Sequence, residues 1–243
     1  GGGTLNVGSD AGSMNSRAGV ISMTAFNARF FFTGGSTVNV HANGSSGAPE
    51  GGLVHFRSAK VDVSNNSSVL VESSGNTTAG TGGTVKALLA GNSQENIKFS
   101  NGKGGIHALA KGLKGGTIHV DASGQVTFDD LDPALAPSVD VSASGSSGDA
   151  GTIIVSALEK ISFPRNAELH ADGKDTGNGG TIHLKDRNGG INATSSGQNR
   201  IKVSAIAGSN GGDGGRIELI SDFNQVKVEP ANALVTAGTN GDG

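Results

Sequence analysis

Three histidines recur at one position of a repeated strand, and histidine is the commonest metal ligand in proteins. They fall in the segments GGLVHF, GGTIHV and GGTIHL, at His55, His119 and His183. Lys86 and Ile154 hold this position in the intervening repeats, so successive histidines lie about 9.6 Å apart if strands stack at about 4.8 Å. Zinc–imidazole bonds are roughly 2.0–2.1 Å long, so one ion cannot bridge that gap. We predict solvent-facing histidines and no metal site, and we interpret His41 and His170, which align on a later strand of the repeat, in the same way.

An acidic cluster, Asp129, Asp130 and Asp132, offers a second kind of chemistry, because paired carboxylates cleave glycosidic bonds. With Arg200-Ile201-Lys202 it resembles the Asp-Asp and Arg-Ile-Lys motifs of polygalacturonases, which are β-helical glycosidases. The Asn-Thr-Asp and Gly-His-Gly parts of that signature are missing. We therefore predict an Asp-rich turn before Pro133 and no catalytic residue. The Arg-Ile-Lys segment is interpreted as the start of a strand.

The glycine-rich turns raise the question of calcium, phosphate or dinucleotide binding. In residues 211–216 the aspartate, Asp213, comes too early for the calcium-binding nonapeptide of β-rolls. The glycine runs also lack a Walker lysine and the strand–helix context of a dinucleotide fold. No cofactor is predicted. Chance explains the five Asn-X-Ser/Thr sequons in this Asn- and Ser-rich chain, which lie at Asn43, Asn65, Asn66, Asn76 and Asn192.

These residues are positioned by a repeat of about 29 to 35 residues. Each repeat begins with a glycine that precedes an apolar–polar alternating strand, and these glycines are Gly19, Gly52, Gly83, Gly116, Gly151, Gly180 and Gly215. A second strand follows at residues 97–99, 126–128, 161–163 and 226–228. A third strand follows at residues 38–44, 139–145 and 169–173. Alternation with period two indicates strands with one buried and one solvated face.

Short one-sided strands with turns too short for crossover helices can bury their apolar faces by coiling and stacking in parallel. We predict a right-handed parallel β-helix with three sheets and about seven turns, in one domain covering residues 1–243. The first-strand residues expected to point inward are Val54, Val85, Ile118, Ile153, Ile182 and Ile217, with Phe56, Ala87, Val120, Val155, Leu184 and Leu219 beside them. In the second strand, Phe99, Phe128 and Phe163 are expected to stack as an internal aromatic ladder.

Composition excludes several partners. The balance of 18 Lys plus Arg against 21 Asp plus Glu gives no basic surface for nucleic acid. No apolar run approaches the roughly 18 to 20 residues that span a bilayer, so membrane insertion is not expected. The absence of cysteine excludes disulfides and thiolate metal sites. Residues 1–12 contain no basic or apolar signal region, and we expect any export signal to lie outside the sequence.

Residues 115–120 (GGTIHV) and 121–124 (DASG) resemble the repeat body of filamentous haemagglutinin-like exoproteins. These are large bacterial β-helical adhesins exported by two-partner secretion. The chain contains no Asn-Pro pair of the kind found in that family's secretion domain. The resemblance therefore implies a secreted or cell-surface shaft, most readily on a bacterial outer surface, with a host-cell, surface or carbohydrate receptor.

The two ends of the chain are similar to consecutive parts of one repeat. Residues 239–243 (TNGDG) look like the turn before a first strand, and residues 1–7 (GGGTLNV) look like that strand. We expect a fragment of a longer β-solenoid, or a unit that associates head to tail.

The predicted function is a non-catalytic structural or adhesive filament module. The alternatives are a β-helical polysaccharide hydrolase or lyase and a self-assembling fibre subunit. Binding surfaces are expected on the longer excursions at residues 129–137 and 185–199, because rigid scaffolds carry function on their loops.

Overall fold

The alternating repeat folds as β-strands throughout the part of the chain described by the computed structural model. The described residues are 4–11, 19–32, 37–44, 50–63, 68–75, 83–88, 97–100, 106–110, 114–129, 139–143, 148–164, 167–193, 201–229 and 233–237. Within these ranges there are twenty strands, and they are β1 (Thr4–Ala11), β2 (Val20–Phe32), β3 (Thr37–Gly44), β4 (Leu53–Val63), β5 (Ser68–Gly75), β6 (Thr84–Leu88), β7 (Ile97–Ser100), β8 (Ile106–Ala110), β9 (Thr117–Ala122), β10 (Gln125–Asp129), β11 (Val139–Asp140), β12 (Thr152–Ala157), β13 (Lys160–Ser162), β14 (Ala167–His170), β15 (Thr181–Asp186), β16 (Ile191–Ala193), β17 (Ile201–Ala205), β18 (Arg216–Ser221), β19 (Val226–Val228) and β20 (Ala233–Ala237).

All paired strands run parallel, and each pairs with its equivalent from the next coil. One sheet has eight strands, in the order β1-β3-β5-β8-β11-β14-β17-β20. The other has twelve and divides at β4 into two arms. The first arm contains β2, β4, β6, β9, β12, β15 and β18, and the second contains β7, β10, β13, β16 and β19. The predicted parallel β-solenoid is confirmed.

The hydrogen-bonded sheets differ in number from the prediction. The repeat predicts three separate sheets, whereas β4 is long enough to join two of them. Its first half pairs with β6 and its last three residues pair with β7. Across the described ranges the first arm stacks seven strands, one from each coil, and the stretch from β9 to β18 contains three of the intervals between them.

The inward columns form the core. In the first arm Ile118, Ile153 and Ile182 are paired in register and fully buried. Ile217 continues the column in β18, is partly buried, and packs against the same core. Strict alternation keeps apolar residues on one face, so each coil extends the core of the coil before it.

The second arm contains the predicted aromatic stack. The rings of Phe128 and Phe163 lie 5.0 Å apart with planes 14° from parallel, and both are buried. Phe99 pairs in register with Phe128, and its side chain lies outside the described residues. Stacked rings add about 0.5–1.5 kcal/mol beyond the area that they bury. The ladder is confirmed for this pair.

The glycine at the start of each repeat lets adjacent coils approach closely. The Thr152 amide donates to the Gly116 carbonyl at 2.9 Å, and the Thr181 amide donates to the Gly151 carbonyl at 3.0 Å. A Cβ on Gly151 would lie 1.9 Å from the Gly116 oxygen. The repeat therefore needs glycine here because space is lacking between the coils.

The N-terminal strand belongs to a different sheet from the one expected. Residues 1–7 were predicted to form a first strand of the repeat, but β1 pairs with β3 in the eight-stranded sheet, with Leu5 opposite Val38. That sheet is built from the third strands of the repeats.

Candidate functional site

The predicted histidine column has the expected register. In the first arm His55, Lys86 and His119 are successive neighbours, and Ile154 separates His119 from His183. His119 and His183 therefore lie on alternate coils, which confirms the spacing that argued against a shared metal ion.

His183 has a structural partner on the next coil. Its Nδ1 lies 2.9 Å from Glu218 Oε2, and Arg216 donates to Glu218 Oε1. The hydrogen bond with His183 is the largest influence holding the pKa of Glu218 below its usual value of 4.5. The carboxylate is therefore a bridge between the last two coils of the first arm.

The predicted alignment of His41 with His170 is wrong by two residues. His170 pairs with Asp140 in β11, and Asp140 pairs with His107 in β8. His41 pairs with Glu72, in a column two residues further along. A slip of two residues keeps every inward residue inward, so the alternation of the sequence cannot detect it.

His170 lies within a row of acidic residues on the outer face of the eight-stranded sheet. Its Nδ1 is 3.4 Å from Asp172 Oδ2, and its Nε2 is 3.1 Å from Glu168 Oε2 without the alignment of a hydrogen bond. The Ser204 hydroxyl donates to Asp172 Oδ1 at 2.5 Å. Because this serine bonds to the aspartate and is fully buried, the row does not form a nucleophile–base pair.

The turn that contains Asp213 is held by bonds between coils. The backbone amide of Asn178 donates to Asp149 Oδ1 at 2.8 Å, and the backbone amide of Asp213 donates to the side-chain Oδ1 of Asn178 at 2.7 Å. Gly211 and Gly212 have φ values of 147° and 94°, which supports their interpretation as turn glycines. Across the described ranges, no group of three or more His, Asp or Glu side chains is arranged to hold a metal ion.

Several predicted positions lie outside the described residues. They are the side chain of Asp129, the whole of Asp130 and Asp132, and the sequons at Asn65, Asn66 and Asn76. Of the Arg-Ile-Lys segment, Ile201 and Lys202 are described; β17 begins at Ile201, as expected of a strand start, and Ile201 is buried.

An open groove lies at the corner between the two arms, where the chain leaves each first-arm strand. We call it the corner groove. Its volume is about 590 Å³, within the range of about 300–1,000 Å³ typical of ligand sites. Its lining includes Asp121, Leu158, Lys185, Arg187, Asp222 and Phe223.

Buried turns position these side chains. Asp186 is fully buried and accepts hydrogen bonds from the Gly190 amide at 2.6 Å and the Ser221 hydroxyl at 3.1 Å. This carboxylate fixes the turn that carries Arg187 and ties it to the next coil, in which Asp222 and Phe223 lie. These hydrogen bonds fix the turn at this wall of the groove.

The groove has apolar and charged parts. Phe223 is 76% exposed and Leu158 is 39% exposed. Lys185 Nζ lies 3.4 Å from Asp222 Oδ2, which pairs two of the four charges. The side chains of Arg187 and Asp121 make no hydrogen bond or ion pair with any residue that the structure describes. Among the described residues, therefore, no partner competes with a ligand for these two side chains.

The sequence indicated only part of this site. Lys185 and Arg187 fall in the excursion at 185–199 where a binding surface was expected, and that excursion is described as far as residue 193. Asp121, Leu158 and Phe223 were missed because they come from three other coils. The available signal was that all these residues lie within four positions of the end of a first-arm strand.

The chain matches no protein-family model, no curated protein and no solved structure. The similarity to filamentous haemagglutinin-like exoproteins thus stays a prediction. The fold and the corner groove define only a class of architecture, which is a parallel β-solenoid with a surface groove. In the described residues no helix is long and apolar enough to cross a membrane.

Proposed function

We propose that this chain is a length of a structural or adhesive shaft, presented at an extracellular surface, and that it performs no catalysis. The observation that carries the proposal is the unbroken register of the first arm. From β9 to β18 each residue pairs with its equivalent one coil away, and the inward columns form one core. Solenoids of this kind are quasi-one-dimensional rods that present extended surfaces.

The polar residues that bond between coils support the same function. His183 with Glu218, Asn178 with Asp149 and Ser204 with Asp172 are each separated by about one repeat in sequence. Each pair therefore links adjacent coils. Side chains committed to neighbouring coils stiffen the shaft and are not free to serve a reaction.

A polysaccharide hydrolase or lyase is the alternative, because it predicts carboxylates and basic residues in a groove. The corner groove contains Asp121 and Asp222 together with Lys185 and Arg187. The backbones of the two aspartates are three coils apart, about 14 Å along the axis at about 4.8 Å per coil. Carboxyl pairs of glycosidases are about 5–9.5 Å apart. This spacing favours binding over hydrolysis.

The extracellular location is supported by the resemblance of residues 115–124 to two-partner exoproteins. Their shafts are secreted β-helical adhesins, and a groove on a shaft of this kind would meet a surface or carbohydrate receptor.

Mechanical unfolding tests the proposal. A shaft held at both ends in an optical trap is expected to unfold coil by coil. The spacings from Gly116 to Gly151, Gly180 and Gly215 are 35, 29 and 35 residues. At about 3.3–3.6 Å per residue, each step releases about 95–125 Å of chain. Smooth extension without steps, as for a flexible polymer, would overturn the proposal.

A further inference from the structure

We propose that the corner groove binds a neutral oligosaccharide along the axis of the solenoid. The inference rests on the proposed function, since it supplies the ligand class through which an adhesive shaft would attach. It follows from the charges, the exposed ring and the length of the groove.

The charged side chains complement hydroxyl groups. Ionised carboxylates only accept hydrogen bonds, whereas lysine and arginine only donate them. The groove has two of each, Asp121 and Asp222 against Lys185 and Arg187. Hydroxyl groups both donate and accept, so a polyol can satisfy both kinds of partner.

The balance of charge disfavours charged polymers. A polyanion attracted to Arg187 would also meet Asp121, and a polycation attracted to Asp121 would meet Arg187. The ion pair between Lys185 and Asp222 cancels the remaining charges. A neutral ligand meets neither repulsion, and it needs no counterion.

The exposed ring provides the apolar part of the site. Contiguous exposed apolar surface rimmed by polar residues marks binding sites, including ligand-binding grooves. Phe223 is 76% exposed at one end of the groove, and Leu158 is exposed on an earlier coil. One face of a pyranose ring consists of C–H groups, and it can pack on an aromatic ring while the hydroxyls at its edge reach the charged groups.

The length of the groove indicates more than one sugar. Its lining comes from four successive coils, those of β9, β12, β15 and β18. Three spacings of about 4.8 Å give about 14 Å along the axis. That distance exceeds a single pyranose ring, and a linear oligosaccharide laid parallel to the axis would contact Asp121 and Phe223 together.

Isothermal titration with defined hexasaccharides tests the inference on the whole chain. The probes are neutral gluco-, galacto- and manno-hexasaccharides, one uronic-acid hexasaccharide and one sulfated hexasaccharide. At least one neutral probe is expected to bind, with little dependence on salt because no net charge is neutralised. Phe223→Ala and Arg187→Ala should each weaken that binding about tenfold or more, the factor that corresponds to about 1.4 kcal/mol.

Two matched variants act as controls outside the groove. Val20→Ala removes an exposed apolar residue from β2, and Lys174→Ala removes an exposed cation from a turn beyond β14. Both should bind like the wild type. Because Phe223 and Arg187 are exposed, their variants should keep the wild-type unfolding midpoint, which separates lost binding from lost folding.

Three results would overturn the inference. They are binding of only the uronic-acid or sulfated probe, no binding of any probe, and neutral binding that the groove variants leave unchanged. In each case, stepwise unfolding in the optical trap would still support the proposed function as a shaft. Smooth extension would instead remove the proposed function, whatever the titration showed.

Discussion

The close stacking of coils predicts that the substitution Gly180→Ala destabilises the protein. Gly180 has no positive φ, so its backbone conformation suits alanine. A Cβ there would lie 2.1 Å from the Gly151 carbonyl oxygen and 3.0 Å from the Ala150 Cβ. Since non-bonded atoms pack best at about 3.5–4.0 Å, the coils must separate locally by more than 1 Å.

The cost can be worked from the bonds that this separation disturbs. The Thr181 amide donates to Gly151 at 3.0 Å and the Gly180 amide donates to Ala171 at 2.8 Å. Overpacking costs about 1–3 kcal/mol, and one buried amide left without a partner costs about 1–3 kcal/mol more. The expected loss is therefore about 2–6 kcal/mol, a large share of the total of about 5–15 kcal/mol typical of folded proteins.

Urea denaturation monitored by far-ultraviolet circular dichroism measures this loss. Two controls accompany it. Thr176→Ala changes an exposed turn residue and should alter stability by less than about 0.5 kcal/mol. Gly211→Ala has open space but a φ of 147°, so it tests conformational strain without collision. A Gly180→Ala protein as stable as Thr176→Ala would refute the close approach of the coils.

Three further predictions concern the core, the corner turn and the outer face. Phe163→Ala should lower the free energy of unfolding by about 3–5 kcal/mol in the same denaturation assay, because it removes one of two stacked, buried rings. Phe223→Ala should change it very little. Equal losses would contradict the aromatic ladder. Asp186→Ala should lower the free energy of unfolding by about 1–3 kcal/mol, because it leaves the buried Gly190 amide without its acceptor. Hydrogen exchange at Gly190 should also become faster. Unchanged exchange there would contradict the role of Asp186 in the turn. The Glu218 carboxyl carbon should titrate below pH 4.5 in NMR spectra. His183→Ala should raise that midpoint. Because the pKa of Glu218 is depressed in the folded protein, the pair stabilises the protein above about pH 4.5 and loses this effect as the pH falls below it. A midpoint that His183→Ala leaves unmoved would count against the bridge.

The core of this fold could be predicted from sequence because it depends on a period of two and a repeated glycine. Ile118, Ile153 and Ile182 occupy the column expected of them, since apolar–polar alternation fixes which face is buried. The glycine before each strand marks where coils touch. Both signals are local and need no knowledge of the remaining chain.

Register and sheet membership could not be predicted equally well. The pattern around His170 is satisfied by either of two alignments that differ by two residues, and only the pairing with Asp140 decides between them. The strand at residues 4–11 has the same alternation as a first strand but pairs with β3. Alternation specifies the face of a residue and does not specify its partner.

The corner groove was predicted only in part because it is assembled across coils. Lys185 and Arg187 lie in an excursion that sequence length alone makes conspicuous. Leu158 and Phe223 lie in short turns with no local sign of function. They become a site only when stacking brings turns some 30 residues apart in sequence onto one surface.

Binding without cleavage is the central claim, and one incubation measures both. Neutral polysaccharides that correspond to the bound hexasaccharides are mixed with the wild-type chain, and retention on the protein and polymer length are followed over time. The account predicts retention that Phe223→Ala weakens about tenfold or more and a polymer length that stays constant. Progressive shortening of the polymer that disappears in Asp121→Asn or Asp222→Asn would contradict it and would make the protein an enzyme.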